Sequence, residues 1–207
     1  MVRLKRDVFS KTQIKGLKVE LDKQFLCADK IYKKACRILV KELNEMNDRG
    51  NKMIGVHLKK NILPGYACYK ALINFGTEKK IAIDFVEKLM CNSAQRMAKL
   101  CKLLSSKKYG FTVFNVLFKL GFKIGFPKEG WTTEWIENNK QCIRFNITTC
   151  LYCEELKKRN ALELCPVFCK TDHVTYDPLA PSVIFERNET LAKTGTKCDF
   201  CFRKGRI

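Results

Sequence analysis

Six of the chain's twelve cysteines fall between positions 150 and 201, in three close pairs: Cys150-x2-Cys153, Cys165-x3-Cys169 and Cys198-x2-Cys201. Two CxxC pairs can bind zinc or an iron–sulfur cluster when a tight loop turns both thiolates toward one ion. The Cys198 pair lies in an alternating, strand-like run, where residues three apart face opposite ways. That geometry suits co-ligation poorly, whereas the Cys150 pair spans a strand-to-helix junction. Cys165, Cys169, Asp172 and His173 stand at i, i+4, i+7 and i+8, so a helix presents them on one face. With Cys165 as N-cap, Cys169 would lie near the first turn, where the partial positive charge of a helix start favours a thiolate. A carboxylate and an imidazole one turn further could orient or deprotonate a nucleophile or a water. The alternative is a polar helix face that satisfies its own hydrogen bonds.

The elements that must carry these groups can be read from periodicity. Ile143, Phe145 and Ile147 alternate with Arg144, Asn146 and Thr148, a half-buried strand. A short helix over 151–159 follows. A second starts near Cys165-Pro166, since proline suits the first helical positions, and runs to about Tyr176. Val183–Arg187 and Cys198–Arg203 read as strands, with Thr190–Thr194 continuing or pairing with them. Upstream, Gln13–Met46 reads as one helix, Lys52–Lys60 as a short one, Asn61–Gly65 as a break at Pro64, and Tyr66–Phe75 as helical. A long helix follows Thr77 to Ser106, then a further one over Phe111–Leu120 closed by Gly121. Cys27, Cys36, Cys68, Cys91 and Cys101 lie in these helices as small core side chains. The expected class is α+β: an N-terminal helical part packed on a small C-terminal antiparallel sheet with crossing helices. Residues 1–207 read as one domain, mainly helical and basic over 1–130, with the sheet and cysteine motifs over 131–207.

Composition bounds the function. The chain has 207 residues, 46% hydrophobic and 29% charged, an ordinary globular balance. Its longest apolar stretch, 111–126, is broken by Lys119 and Lys123, and the basic N-terminal segment lacks the apolar run of a signal peptide. A cytoplasmic setting is expected, with no membrane partner and with reduced cysteines. The net charge of +19 is uneven: residues 1–60 hold 16 Lys and Arg against 7 Asp and Glu, residues 61–130 hold 12 against 4, and residues 131–207 hold 12 against 10. The basic part would attract phosphate, but no helix-turn-helix, ribbon or stacking motif gives it specificity, so nucleic acid is not the expected partner. A small-molecule substrate is, and a homo-oligomer stays open.

The runs Phe145-Asn-Ile-Thr-Thr-Cys150, Leu164-Cys-Pro-Val-Phe-Cys169-Lys-Thr-Asp172, Phe185-Glu-Arg187-Asn-Glu-Thr190-Leu-Ala-Lys-Thr-Gly195 and Cys198-Asp199-Phe200 together resemble the L-2-amino-thiazoline-4-carboxylic acid hydrolase family over about residues 75–203. The resemblance implies a hydrolase of non-peptide C–N bonds that opens a small cyclic amidine, in cysteine metabolism. Cys150, Cys169, Asp172 and Cys198 would line the site, with His173 beside them. Arg187 would grip a substrate carboxylate, since a guanidinium binds it as a fork, Asp199 would hold an amidine nitrogen, and Thr190 would hydrogen-bond within the site. Family membership leaves open a thiolate mechanism without cofactor and a zinc-bound hydroxide, for which Cys150, Cys169, Cys198 and His173 are the candidate ligands. Cys153, Cys165 and Cys201 are extra to the family pattern. The layout also resembles small-molecule-binding domains of the 4-vinyl reductase type, which gives the alternative of a non-catalytic ligand or metal sensor.

Overall fold

Regular spacing of apolar residues sets the first helices of the computed structural model, which describes residues 7–193 and 195–207. Met1–Arg6 and Thr194, which belong to the expected basic N-terminus and to the expected segment 190–194, lie outside the described residues. The chain divides into two compact units, the first ending at Ser93 and the second beginning at Ala94.

In the first unit α1 (Leu17–Gln24) buries Leu17 and Leu21, and α2 (Ala28–Glu45) buries Ile31, Ala35 and Leu39. The single helix expected over 13–46 is thus two. Phe25 between them is extended (φ −130°, ψ 125°) and turns its ring against Phe85, 5.3 Å away. Asn51 caps α3 (Lys52–His57), its side chain accepting from the Met53 amide. The break expected at Pro64 is absent. A π-helical turn over Leu58–Ile62 leads directly into α4 (Leu63–Asn74), with Pro64 in its first turn. Proline lacks an N–H and crowds the preceding turn, and a wider turn just upstream relieves both demands without ending the rod. Gly76, at φ 77°, turns the chain into α5 (Lys79–Lys102).

In the second unit α6 (Gly110–Gly125) runs past Gly121, where a stop was expected. Phe114, Phe118 and Phe122, four apart, form one stripe on it. Their rings lie against Phe202 (5.0 Å and 4.9 Å, from Phe114 and Phe118) and Phe145 (4.9 Å, from Phe122). That packing outweighs the roughly 1 kcal/mol penalty of a helical glycine.

The sheet beneath has β1 (Trp131–Asn138), β2 (Cys142–Cys150), β3 (Val183–Glu186) and β4 (Cys198–Lys204) in the order β1-β2-β4-β3, every pair antiparallel. β1 was not expected. Cross-strand partners Phe145 and Phe200, Ile143 and Phe202, and Ile147 and Cys198 put those side chains on one face, on which all but the half-buried Phe200 are buried. α7 (Leu151–Lys158) and α8 (Cys165–Tyr176) follow β2, and the Tyr176 ring meets Phe202 at 5.1 Å on that same face. Residues 190–193 form a turn, not the strand considered above. The class is α+β, as expected. No helix among the described residues is long and apolar enough to cross a membrane.

Candidate active site

β2 passes straight into α7 at Cys150, whose backbone is still extended (φ −135°, ψ 121°) at the helix N-cap. Cys153 is therefore the third residue of α7. Asn160, at φ 51°, reverses the chain, and α8 opens with Cys165 at its first position and Pro166 at its second. Leu164, not Cys165, is the N-cap, so Cys169 sits in the second turn rather than the first. The reversal sets the Cys153 Sγ 3.0 Å from the Cys165 Sγ. Cys153 is partly exposed, while Cys165 is fully buried.

Contacts between neighbouring sulfurs extend this pair. The Cys150 thiol meets Cys153, and the Cys169 thiol meets Cys165. Hydrogen bonds from Cys150 and Cys165 hold the Cys153 thiol down, to about 4, against its burial. Cys150 and Cys165 move up in turn, first because each donates to the Cys153 sulfur, and Cys165 also because it bonds Cys169. Cys153 is thus the member of the row whose thiolate its neighbours favour. Cys198, on β4, is pushed up to about 12 by burial, in part opposed by the Leu191 amide, which donates to its sulfur at 3.3 Å. The charges of Cys169, Arg187 and Cys153 also act on it, so Cys198 stands within reach of all three.

Arg187, just past β3, has a side chain only 3% exposed. Its Nη1 donates to Asp172 Oδ2 at 2.5 Å and its Nη2 to the Cys169 carbonyl at 2.7 Å. The guanidinium carbon lies 5.0 Å from the Phe200 ring centre. Burial raises the Asp172 carboxyl above the usual aspartate value, outweighing the Arg187 charge, although 32% of the side chain stays open. Arg187 Nε and Thr190 Oγ1 are buried without a hydrogen-bond partner. An unsatisfied buried donor is costly unless a ligand completes it.

The remaining expected residues have other neighbours. Asp199 Oδ1 accepts from the Asn188 and Glu189 amides at 2.9 Å and 2.6 Å, which pins the segment carrying Arg187 and Thr190. His173 pairs with Asp177 at 3.3 Å and lies on the Phe185 ring. Cys201, on the other sheet face from Cys198, has its sulfur 4.0 Å from Cys142. Among the described residues no group of three or more His, Cys, Asp or Glu side chains is disposed to hold a metal ion. The open groove between α6 and β1, about 530 Å³ and lined by Phe122, Phe126, Trp131 and Trp135 with three lysines, contains none of the thiols.

The structure therefore brings Cys150, Cys169, Cys198, Asp172 and Arg187 into one neighbourhood and adds Cys153 and Cys165, two residues extra to the family pattern. The signal was present in the Cys150-x2-Cys153 spacing at a strand-to-helix junction. Pairing with Cys165 needed the turn at Asn160.

No curated protein matches this chain. Among solved structures, the Fe(II) unliganded H-NOX protein from K. algicida matches with 13% identity over 97% of this chain and 96% of its own, at a TM-score of 0.36. The family model described as L-2-amino-thiazoline-4-carboxylic acid hydrolase matches residues 55–202.

Proposed function

From its membership of the L-2-amino-thiazoline-4-carboxylic acid hydrolase family, to which this chain belongs, we propose that the protein is a hydrolase that opens a small, carboxylated cyclic amidine. The observation that carries this reading is the orphaned Arg187 Nε, buried beside a row of thiols and the Asp172 carboxyl. A substrate carboxylate is the acceptor that a guanidinium N–H lacks, and the Thr190 hydroxyl, also unpartnered, is a second donor of suitable kind.

In this reading Cys169 adds to the amidine carbon. Its main-chain carbonyl holds the Arg187 guanidinium, so nucleophile and anion site share one rigid mount. The ring bond to the leaving heteroatom breaks as Asp172, its carboxyl raised by burial, gives that atom a proton. Water then displaces the sulfur, the thiol is restored, and the opened carbamoyl product leaves. Asp199 keeps the Arg187–Thr190 segment in place rather than touching substrate.

The test is turnover of 2-amino-thiazoline-4-carboxylate and related heterocycles by anaerobically purified protein. Cys169→Ala should abolish activity with the far-ultraviolet dichroism unchanged. Full activity in that variant, or stoichiometric metal that is lost on substituting Cys150, Cys169 or Cys198, would overturn the thiolate route. Binding of these heterocycles with no turnover would replace the hydrolase by a sensor.

A further inference from the structure

We propose that Cys153 and Cys165 form a hydroperoxide-reactive dithiol that closes to a disulfide tying α7 to α8, a chemistry that stands apart from the hydrolytic reading. Three observations lead there. The two sulfurs, both free thiols, lie 3.0 Å apart, against 4.0 Å for the Cys142 and Cys201 sulfurs on the sheet. A covalent S–S bond is about 2.05 Å, so closure needs a movement of only about 1 Å. Both residues stand in the opening turns of helices that follow one another, joined by the short reversal at Asn160. Their exposures are also unequal, Cys153 reaching solvent and Cys165 fully buried, which separates the residue that meets an oxidant from the one that resolves it. The nucleophile toward a hydroperoxide is the thiolate form of the more accessible of the two, Cys153.

The chemistry balances. The Cys153 thiolate attacks the terminal oxygen of the hydroperoxide and the O–O bond breaks. Sulfur is oxidised to a sulfenic acid, and the other oxygen leaves as alkoxide or hydroxide and takes a proton from water. The Cys165 thiol attacks the sulfenic sulfur, the S–O bond breaks, and water departs with the thiol's proton as the disulfide forms. Two thiols and one hydroperoxide give one disulfide, one alcohol or water, and one water.

Trypsin separates the two partners, because Lys157, Lys158 and Arg159 lie between them: one peptide spans Phe145–Lys157 and the other Asn160–Lys170. Hydrogen peroxide added in equimolar amount to the reduced full chain should consume two thiols and link these peptides, and a dithiol reductant should release them. Each peptide holds a second cysteine, Cys150 and Cys169, so the mapping is repeated in Cys150→Ala/Cys169→Ala, where the link should persist. In Cys150→Ala/Cys165→Ala the reaction should stop at a sulfenic acid on the Cys153 peptide, captured by dimedone. Thiols untouched by several equivalents of peroxide, or a disulfide that joins Cys150 to Cys153 in place of this pair, would overturn the proposal. No turnover of the heterocycles by the reduced protein, with the peptide link still forming on peroxide, would sink the preceding reading and leave this one standing.

Discussion

Arg187 Nη1 meets Asp172 Oδ2 at 2.5 Å while Nη2 of the same guanidinium holds the Cys169 carbonyl, so one buried cation ties the carboxylate and the backbone of α8 to the end of β3. Removing one partner of such a pair strands the other. Asp172→Ala should destabilise the fold by about 3 kcal/mol, read as a lower urea midpoint, because a 3%-exposed guanidinium loses its counter-charge. Arg187→Lys keeps the charge but not the fork, and should fall between wild type and that variant.

Asp172 also gives a pH signature. Its carboxyl is raised above the ordinary value of 3.8, so the acid form persists to higher pH than in a free aspartate. kcat for ring opening should fall as pH climbs through the raised value. Asp172→Asn should lose roughly 10²–10⁴-fold in kcat and flatten that limb of the profile. A profile unchanged by the substitution would remove Asp172 as the acid.

Cys153 should be the cysteine alkylated first at mildly acid pH. With a thiol held to about 4, it is ionised well below the ordinary 9.0, whereas Cys142 and Cys198, each pushed up to about 12, stay protonated. Iodoacetamide at about pH 6 should label Cys153 at least tenfold faster than the others, and labelling should fade as pH drops toward 4. By linkage the depressed Cys153 value stabilises the fold fully above 9.0 and progressively less as pH falls toward 4. The raised Cys150 and Cys165 values act oppositely, stabilising below 9.0 and losing that contribution as pH rises through their folded values.

Glu155 is a buried carboxylate, its side chain 8% exposed, paired with Arg159 at 2.8 Å and Lys158 at 2.7 Å on α7. Burial pushes it up, but the two cations more than offset this and hold it below 4.5. Its contribution is present above 4.5 and is lost as pH falls through the depressed value. Glu155→Gln should cost about 1–3 kcal/mol near neutrality and blunt the acid limb of a thermal melt series.

Two glycines of α6 should respond in opposite directions. A Cβ on Gly110 would run into the Ser182 hydroxyl and the Leu104 carbonyl, whereas one on Gly121 meets open space. Gly121→Ala should stabilise by about 0.5–1 kcal/mol and raise Tm, and Gly110→Ala should lower it.

Legibility followed the strength of local signals. α8 was readable to within a residue because Pro166 marks its start, and β2 because Ile143, Phe145 and Ile147 keep strict alternation on a half-buried face. β1 escaped because it is an edge strand, mostly exposed, with irregularities at Thr132/Thr133 and Trp135/Glu137 that break the period of two. Pro64 misled because proline signals a break locally, while the π turn that accommodates it is a property of the packed helix. In the site, the grouping of Cys150, Cys169 and Cys198 was available through family resemblance. The Cys153–Cys165 contact depends on a left-handed turn at Asn160 that no spacing rule announces.

The order β1-β2-β4-β3 has a consequence for biosynthesis. β2 and β3 share no ladder; each leans on β4, which is made after both. A nascent chain still lacking residues 198–204 therefore carries a β1–β2 hairpin and a detached ribbon, with Phe145 and Phe185 both waiting for partners on the missing strand. Only when the ribosome has released that stretch can the thiols of α7 and α8 meet the one on β4.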